Sequence, residues 1–267
     1  ESLNLPAVAT VKELGIDKAF EAGEKFGLNM SSVDRVLGVA LGGGVETNPL
    51  QMAQAYAAFA NEGLMPEAHF ITRIENASGQ VIATHKNSQK RVMDKSTADK
   101  MTSMMLGTFT NGTGISSSPE NYVMAGKTGT TETVFNPEYT SDQWVIGYTP
   151  DIVISHWLGF PTTDESHYLS SSTSNGAAHI FRNISETILP YTPGSTFTVQ
   201  NAYELNGIAP ANIKNQTPNA ESQTDGLLTD IRSKAQNIVD EAGRAISEAK
   251  IKEKAQTVWD TIVDLFR

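Results

Sequence analysis

Apolar residues fall at helical spacing through residues 5–27, where Val8, Val11, Leu14, Ile16, Phe20 and Phe26 alternate with charged positions and Gly15 and Gly27 read as stops. A second helix is predicted after Asn48. Asn48 stands at the N-cap with Pro49 in the first helical position and Gln51 completing a capping box; Leu50, Ala53, Ala57 and Ala60 form one face, and Gly63 ends the helix. His69–Glu75 and Gln80–Thr84 flank an Asn76-to-Gly79 turn and read as a hairpin. Ser96 to Asp99 offers a further capping box, opening a helix through Phe109 that Met101, Met104 and Met105 stripe. Three β-type runs follow, at residues 122–130, Trp144–Tyr148 and Ile152–Phe160, and their short spacing predicts an antiparallel three-stranded meander. Asn175 is the predicted cap of a last helix, through Leu189. The fold class is therefore α/β in the α+β sense, an antiparallel sheet flanked by helices.

After Leu189 the pattern changes. Residues 190–224 are rich in Pro, Asn, Thr, Ser and Gln and read as a linker. From 225 to 267 an amphipathic helical tail is expected, with Leu228, Ile231, Ala235, Ile238, Ala242 and Ala245 in step. Eight acidic and seven basic residues leave the tail nearly neutral, which does not suit a polybasic membrane anchor. Its apolar stripe fits docking on its own protein, or a helical hairpin; a partner at the cell surface is the alternative.

Composition removes several function classes. A net charge of −10 argues against a nucleic-acid partner, because phosphate contact needs a basic footprint. Zero cysteines exclude disulfides and thiolate metal sites. The five histidines (69, 85, 156, 167 and 179) form no i, i+4 pair, so no metal and no cofactor is expected; His156 reads as a hydrogen-bonded strand residue. No run of eighteen apolar residues occurs, and there is no signal peptide.

The candidate chemistry lies in Ala125-Gly126-Lys127-Thr128-Gly129-Thr130-Thr131. A phosphate loop would need glycine where Asn121 stands and a helix where Gly129-Thr130-Thr131 reads as extended, so the nucleotide reading fails. On a strand, alternation sends Lys127 and Gly129 to one face and Thr128 and Thr130 to the other. Such a strand could line a cleft, with an ammonium, hydroxyl donors and room at Gly129 for a ligand. By itself the tripeptide reads as a surface strand with turn glycines, since short motifs need context.

Its context decides between them. The run Lys127-Thr128-Gly129-Thr130-Thr131, the segment Asp142–Asp151 and the segment Ala40–Asn61 together resemble, in order, the core of penicillin-binding proteins of the class A, bifunctional type. The resemblance covers roughly residues 1–190. That family carries three motifs, Ser-x-x-Lys, Ser-x-Asn and Lys-Thr-Gly. Lys127-Thr128-Gly129 matches the third, and Ser2-Leu3-Asn4 matches the second. The first is expected upstream of Glu1, together with a membrane anchor and a glycan-polymerising domain. Ser247-Glu248-Ala249-Lys250 has the right letters but the wrong order, inside the charged tail, and reads as neighbours on a helix turn.

What the resemblance implies is a penicillin-binding, serine β-lactamase-like transpeptidase fold, incomplete on its N-terminal side. The implied reaction is acyl transfer through a serine ester on the D-Ala-D-Ala end of a peptidoglycan stem peptide, with β-lactams as inhibitors, at the extracellular face of the bacterial cytoplasmic membrane. Ser2 would relay a proton, and Asn4 would orient the substrate amide. Lys127 would set the positive potential that draws the terminal carboxylate. Thr128 and Thr130 would bind that carboxylate beside Gly129, and the Thr130 N–H would form half of an oxyanion hole. A serine β-lactamase or D,D-carboxypeptidase is the rival enzyme reading; a non-catalytic cell-surface interaction module is the rival of another class.

Because the nucleophile motif is expected upstream, this chain alone should form no covalent penicillin adduct. The check is incubation with a fluorescent penicillin followed by separation under denaturing conditions, and label on this polypeptide would sink the expectation.

Overall fold

In the computed structural model of the protein, residues 2–204 are described. The chain divides into two units, residues 1–217 and 218–267, and the described residues all belong to the first. The helical tail expected over 225–267, with Ser247–Lys250 inside it, lies outside the described residues, as does the stretch from 205 to 224.

The first predicted helix is two helices. α1 (Asn4–Leu14) and α2 (Ile16–Lys25) are separated at Gly15, whose φ of 94° is a backbone state that an L side chain rarely adopts. Phe20 of α2 packs with Met30 and Val33 into a small core cluster, with the Arg35 guanidinium 4.4 Å over its ring. A 3-10 turn (Leu37–Leu41) then leads through the glycine cluster to α3 (Pro49–Ala60). The α3 cap is the predicted one: Asn48 Oδ1 accepts from Gln51 N–H at 3.0 Å, and Asn48 Nδ2 donates to Gln51 Oε1 at 3.1 Å.

Between α3 and the next helix run two small antiparallel ribbons. β1 (Leu64–Pro66) pairs with β4 (Gln89–Arg91), and β2 (Arg73–Glu75) pairs with β3 (Val81–Thr84) as the predicted hairpin. α4 (Lys95–Thr110) begins earlier than Ser96 implied. Its cap is Asp94, whose carboxylate accepts from the Thr97 N–H at 2.6 Å, so the N-cap lies two residues before the predicted Ser96.

The central sheet is the predicted meander, β5 (Ala125–Glu132), β6 (Thr140–Tyr148) and β7 (Val153–Gly159), with β5 at its edge. Directly opposed residues share a face, so the register defines both. Gly126, Thr128, Val145, Gly147 and Ile154 fall on the face covered by α5 (Ala177–Ile188), where Phe181, Ala177 and Leu189 are fully buried with Phe109 of α4. Ala125, Lys127, Tyr148 and Val153 fall on the other, where Met105 and Leu106 of α4 join Tyr56 and Phe59 of α3. There Tyr148 shares a 2.8 Å hydrogen bond with Thr102, and burial pushes the Tyr56 hydroxyl up to about 12.

α5 is capped from outside its own sequence. Asn175 lies in a 3-10 turn (Thr173–Asn175) ahead of it, and the first helical N–H, of Ala177, donates to Gln143 Oε1 of β6 at 3.0 Å. Gln143 is wholly buried, and its Nε2 donates to Thr140 Oγ1 at 3.1 Å and to the Ser171 carbonyl, which satisfies an amide that would be costly unpaired. His156 of β7 departs from expectation in one respect: its Nε2 is buried without a hydrogen-bond partner among the described residues, and desolvation lowers its pKa. Past Tyr191, the described part of the stretch read as a linker lies against α4. Phe197 and Val199 pack at the Tyr148 cluster, the Ser103 hydroxyl donates to the Gln200 carbonyl at 2.6 Å, and Asn201 Nδ2 donates to Thr110 Oγ1 at 3.0 Å.

Gly126 and Gly147 face each other across the β5–β6 ladder. A methyl at Gly147 would stand 2.7 Å from Phe181 Cζ, and one at Gly126 would stand 2.0 Å from the Ile146 carbonyl oxygen. Side chains can yield; a ladder carbonyl cannot without breaking pairing. Gly147→Ala is therefore expected to cost about 1–3 kcal/mol as overpacking, and Gly126→Ala more. Urea unfolding of both variants checks the order, and equal, negligible losses would refute the close approach.

Candidate functional site

Lys127 sits in the middle of edge strand β5, on the face shared with α3 and the N-terminal helices. Its stem is partly buried, and its ammonium reaches two acceptors: Nζ donates to Ser2 Oγ at 2.8 Å and to the Thr128 carbonyl at 2.7 Å. The first contact joins residues 125 apart in sequence and brings the two motif matches of this chain together. Because the ammonium donates, the Ser2 hydroxyl keeps its own proton for another acceptor. Burial holds the Lys127 pKa below its ordinary value by penalising the charged form.

Ser2 and Leu3 are exposed, and Asn4 opens α1. A cavity of about 980 Å³ has Ser2, Asn4, the Gly42–Gly44 loop and β5 residues 127–132 in its wall, so all six residues predicted for the site border one space. A second cavity, of about 400 Å³, adjoins the same stretch of β5 and is walled by Met30, Val45, Met52, Tyr56, Trp144 and Ile146 among others.

The threonines lie on the opposite face from Lys127, as alternation predicts. Thr128 is buried and its Oγ1 lies 2.6 Å from Thr113 Oγ1. Thr130 is exposed and its hydroxyl bonds that of Thr173. Thr173 Oγ1 also donates to the Gly129 carbonyl at 3.0 Å. Gly129 has Trp144 Cβ 3.3 Å from where its own Cβ would stand, so a side chain there would crowd the neighbouring strand. Since β5 is an edge strand, every second residue turns its N–H and C=O away from β6. The Thr128 carbonyl is held by Lys127, and the two-residue period gives Thr130 the same direction. One edge thus offers an ammonium and hydroxyl from one face, hydroxyls from the other, and backbone donors between them. That set suits a carboxylate and a developing oxyanion side by side.

Thr113 and Thr173 were not read from the sequence. Thr113 sits in the Asn111–Gly114 turn after α4, and Thr173 in a serine-rich stretch; neither has a periodic or spacing signal. Among the described residues no cluster of three or more His, Cys, Asp or Glu could hold a metal, and no helix is long and apolar enough to cross a membrane.

Comparison with known proteins gives this geometry its family. A profile of the penicillin binding protein transpeptidase domain matches residues 2–186. The chain belongs to that family. As a transpeptidase-domain chain it is 84% identical, over all of its length, to penicillin-binding protein 2a of Streptococcus pneumoniae serotype 2 (strain D39 / NCTC 7466), and it covers 37% of that relative. It is 38% identical to penicillin-binding protein 1F of Bacillus subtilis (strain 168), over 65% of this chain and 24% of the relative. The transpeptidase fold is matched by the crystal structure of penicillin-binding protein 1A from Haemophilus influenzae, with a TM-score of 0.60 at 20% identity over 74% of this chain and 35% of that one. The chain therefore spans little more than a third of the length of the pneumococcal relatives it matches.

A lysine whose folded pKa is depressed binds fewer protons folded than unfolded. Its charged form costs stability at lower pH, and the cost fades as pH rises from the lowered folded value to the ordinary lysine value of 10.5. The stability of wild type relative to Lys127→Met should climb across that window in urea unfolding at stepped pH. A flat difference would mean that the ammonium is fully hydrated.

Proposed function

We propose that the complete protein is a peptidoglycan D,D-transpeptidase and β-lactam target, working at the outer face of the bacterial cytoplasmic membrane. In this reading an upstream segment supplies the membrane anchor and the Ser-x-x-Lys nucleophile. The observation that carries it is the 2.8 Å contact from Lys127 Nζ to Ser2 Oγ, because it unites the second and third motifs in one cavity wall.

The upstream serine Oγ attacks the carbonyl carbon of the penultimate D-alanine of a stem peptide. A tetrahedral oxyanion forms against the Thr130 N–H and the nucleophile's own N–H. The C–N bond breaks, terminal D-alanine departs as an amine, and the acyl group remains on serine as an ester. The proton of the attacking serine passes to the lysine of its own Ser-x-x-Lys motif; Ser2 hands its proton to the leaving nitrogen and is reprotonated from that lysine. The Lys127 ammonium, fixed as donor to Ser2 Oγ, keeps the serine proton aimed outward and makes good the positive potential around it. An amine of a neighbouring stem then attacks the ester and completes the cross-link. The terminal carboxylate is met by Thr130, with Thr128 and the Lys127 charge behind it, and Asn4 orients the substrate amide. Lys127 is well suited to this because its two acceptors fix it in place, so little reorganisation is needed as charge develops.

In the full-length protein, Lys127→Ala is expected to reduce the second-order rate of acylation by a penicillin by about a hundredfold or more, the low end of what positioned proton transfer contributes. Stopped-flow acylation with intact-mass detection of the adduct measures it, and incubation with D-Ala-D-Ala stem peptides scores cross-linked against hydrolysed product. Unchanged acylation would remove Lys127 from the site, and hydrolysis without any cross-link would favour a carboxypeptidase.

A further inference from the structure

Two hydroxyls facing the substrate side of β5 are engaged by threonines that belong to no motif, Thr113 on Thr128 and Thr173 on Thr130. The two pairs differ in one respect that chemistry can use. A threonine hydroxyl has a single proton to give and two lone pairs to accept with. Thr173 gives its proton to the Gly129 carbonyl at 3.0 Å. With the Thr173 proton on that carbonyl, Thr130 is the donor in the Thr130–Thr173 pair, and its proton points at Thr173 and away from the cavity. Among the described residues Thr113 Oγ1 bonds only Thr128 Oγ1.

Thr173 is 5% exposed, and it stands at the first position of the 3-10 turn ahead of α5. That turn is held from behind: Gln143, wholly buried, ties β6 to the Ser171 carbonyl and to the first N–H of α5. A methyl at Gly176 would stand 2.3 Å from Gln143 Oε1, so the segment carrying Thr173 lies close against the sheet. The Thr173 hydroxyl is therefore fixed in place beside the Gly129–Thr130 peptide.

We propose that Thr173 is a positioning residue for the substrate's terminal carboxylate, acting through Thr130. In the empty site it parks the Thr130 proton and braces the Gly129 carbonyl. When a carboxylate arrives, the Thr173 proton turns from the Gly129 carbonyl to Thr130 Oγ1, and the Thr130 proton turns outward to the carboxylate. No proton changes owner; two O–H bonds rotate. Charge on the carboxylate drives the exchange, since a hydrogen bond to an ionised acceptor is about twice as strong as a neutral one. This proposal rests on the transpeptidase reading and deepens it.

The test uses the full-length protein and two probes, a penicillin with its free carboxylate and the methyl ester of the same penicillin. Thr173→Val keeps the shape and removes the hydroxyl; Thr173→Ser restores it. With the free acid, Thr173→Val and Thr173→Ala are expected to acylate about tenfold more slowly than wild type, roughly the worth of one hydrogen bond, and Thr173→Ser within about twofold. With the ester, all four proteins should react at one common, slower rate, and in a Thr130→Val background Thr173→Val should have no further effect. Equal slowing of both probes by Thr173→Val and Thr173→Ala would make the residue a structural brace only and overturn the proposal, as would no slowing of either. Failure of wild type to take up either β-lactam is a different result, which removes the transpeptidase reading and this proposal with it.

Discussion

The register of β5 against β6 is the constraint on which the site depends. Side chains alternate faces along a strand, so a slip by one residue would carry Lys127 to the α5 side and Thr128 and Thr130 to the α3 side. The glycine pair pins that register. At Gly126 opposite Gly147, Phe109 and Phe181 come down onto the ladder, within 3.0 Å of where Cβ atoms would stand. Ala125 opposite Tyr148 and Lys127 opposite Ile146 bracket it with side chains on the other face. Packing of two aromatic rings from two helices therefore decides which way an ammonium points. The placement of residues 127–130 thus depends on residues 126 and 147.

Local signals in the chain survived into the structure, and signals that needed a distant partner did not. Asn48-Pro49-Leu50-Gln51 caps its helix with its own side chains, and the meander strands follow from composition and short connections; both were legible in sequence. So was the alternation of Lys127 against Thr128 and Thr130, because the period of a strand is two wherever it is. The cap of α5 was not legible. Asn175 had the right chemistry one residue too early, but the first N–H of the helix is taken by Gln143, 34 residues before it, which no local pattern announces. The α4 cap was misplaced for a milder reason, since Asp94 and Ser96 are both good caps and only the helix's packing chooses between them. Thr113 and Thr173 were invisible because a threonine in a polar loop has no spacing to betray it.

The electrostatics of the site run against those of the chain. A protein of net charge −10 is a poor attractor of carboxylates at long range, and screening confines that effect to roughly 8 Å at physiological salt. What an anionic substrate meets at the edge of β5 is instead local: one ammonium, partly desolvated, with its pKa lowered because its charge is already short of water. A partly buried cation gains more from an arriving anion than a hydrated one does, since less water has to be displaced. Ser2 and the Thr128 carbonyl hold that cation where it is, and neither cancels its charge.

A free strand edge is normally a hazard, because unpaired N–H and C=O groups will accept any other strand. β5 leaves such an edge where the site is, and an extended peptide is the ligand shape that an edge receives best. The strand limits what can dock there with the residues proposed for the site. Lys127 turns its ammonium back onto the Thr128 carbonyl and so occupies one of the edge acceptors. What remains open is a short length of edge around Thr130, with charge at one end. A generic strand would find few partners to pair with there, and on the transpeptidase reading proposed above the ligand that such an edge suits is a short peptide ending in a carboxylate.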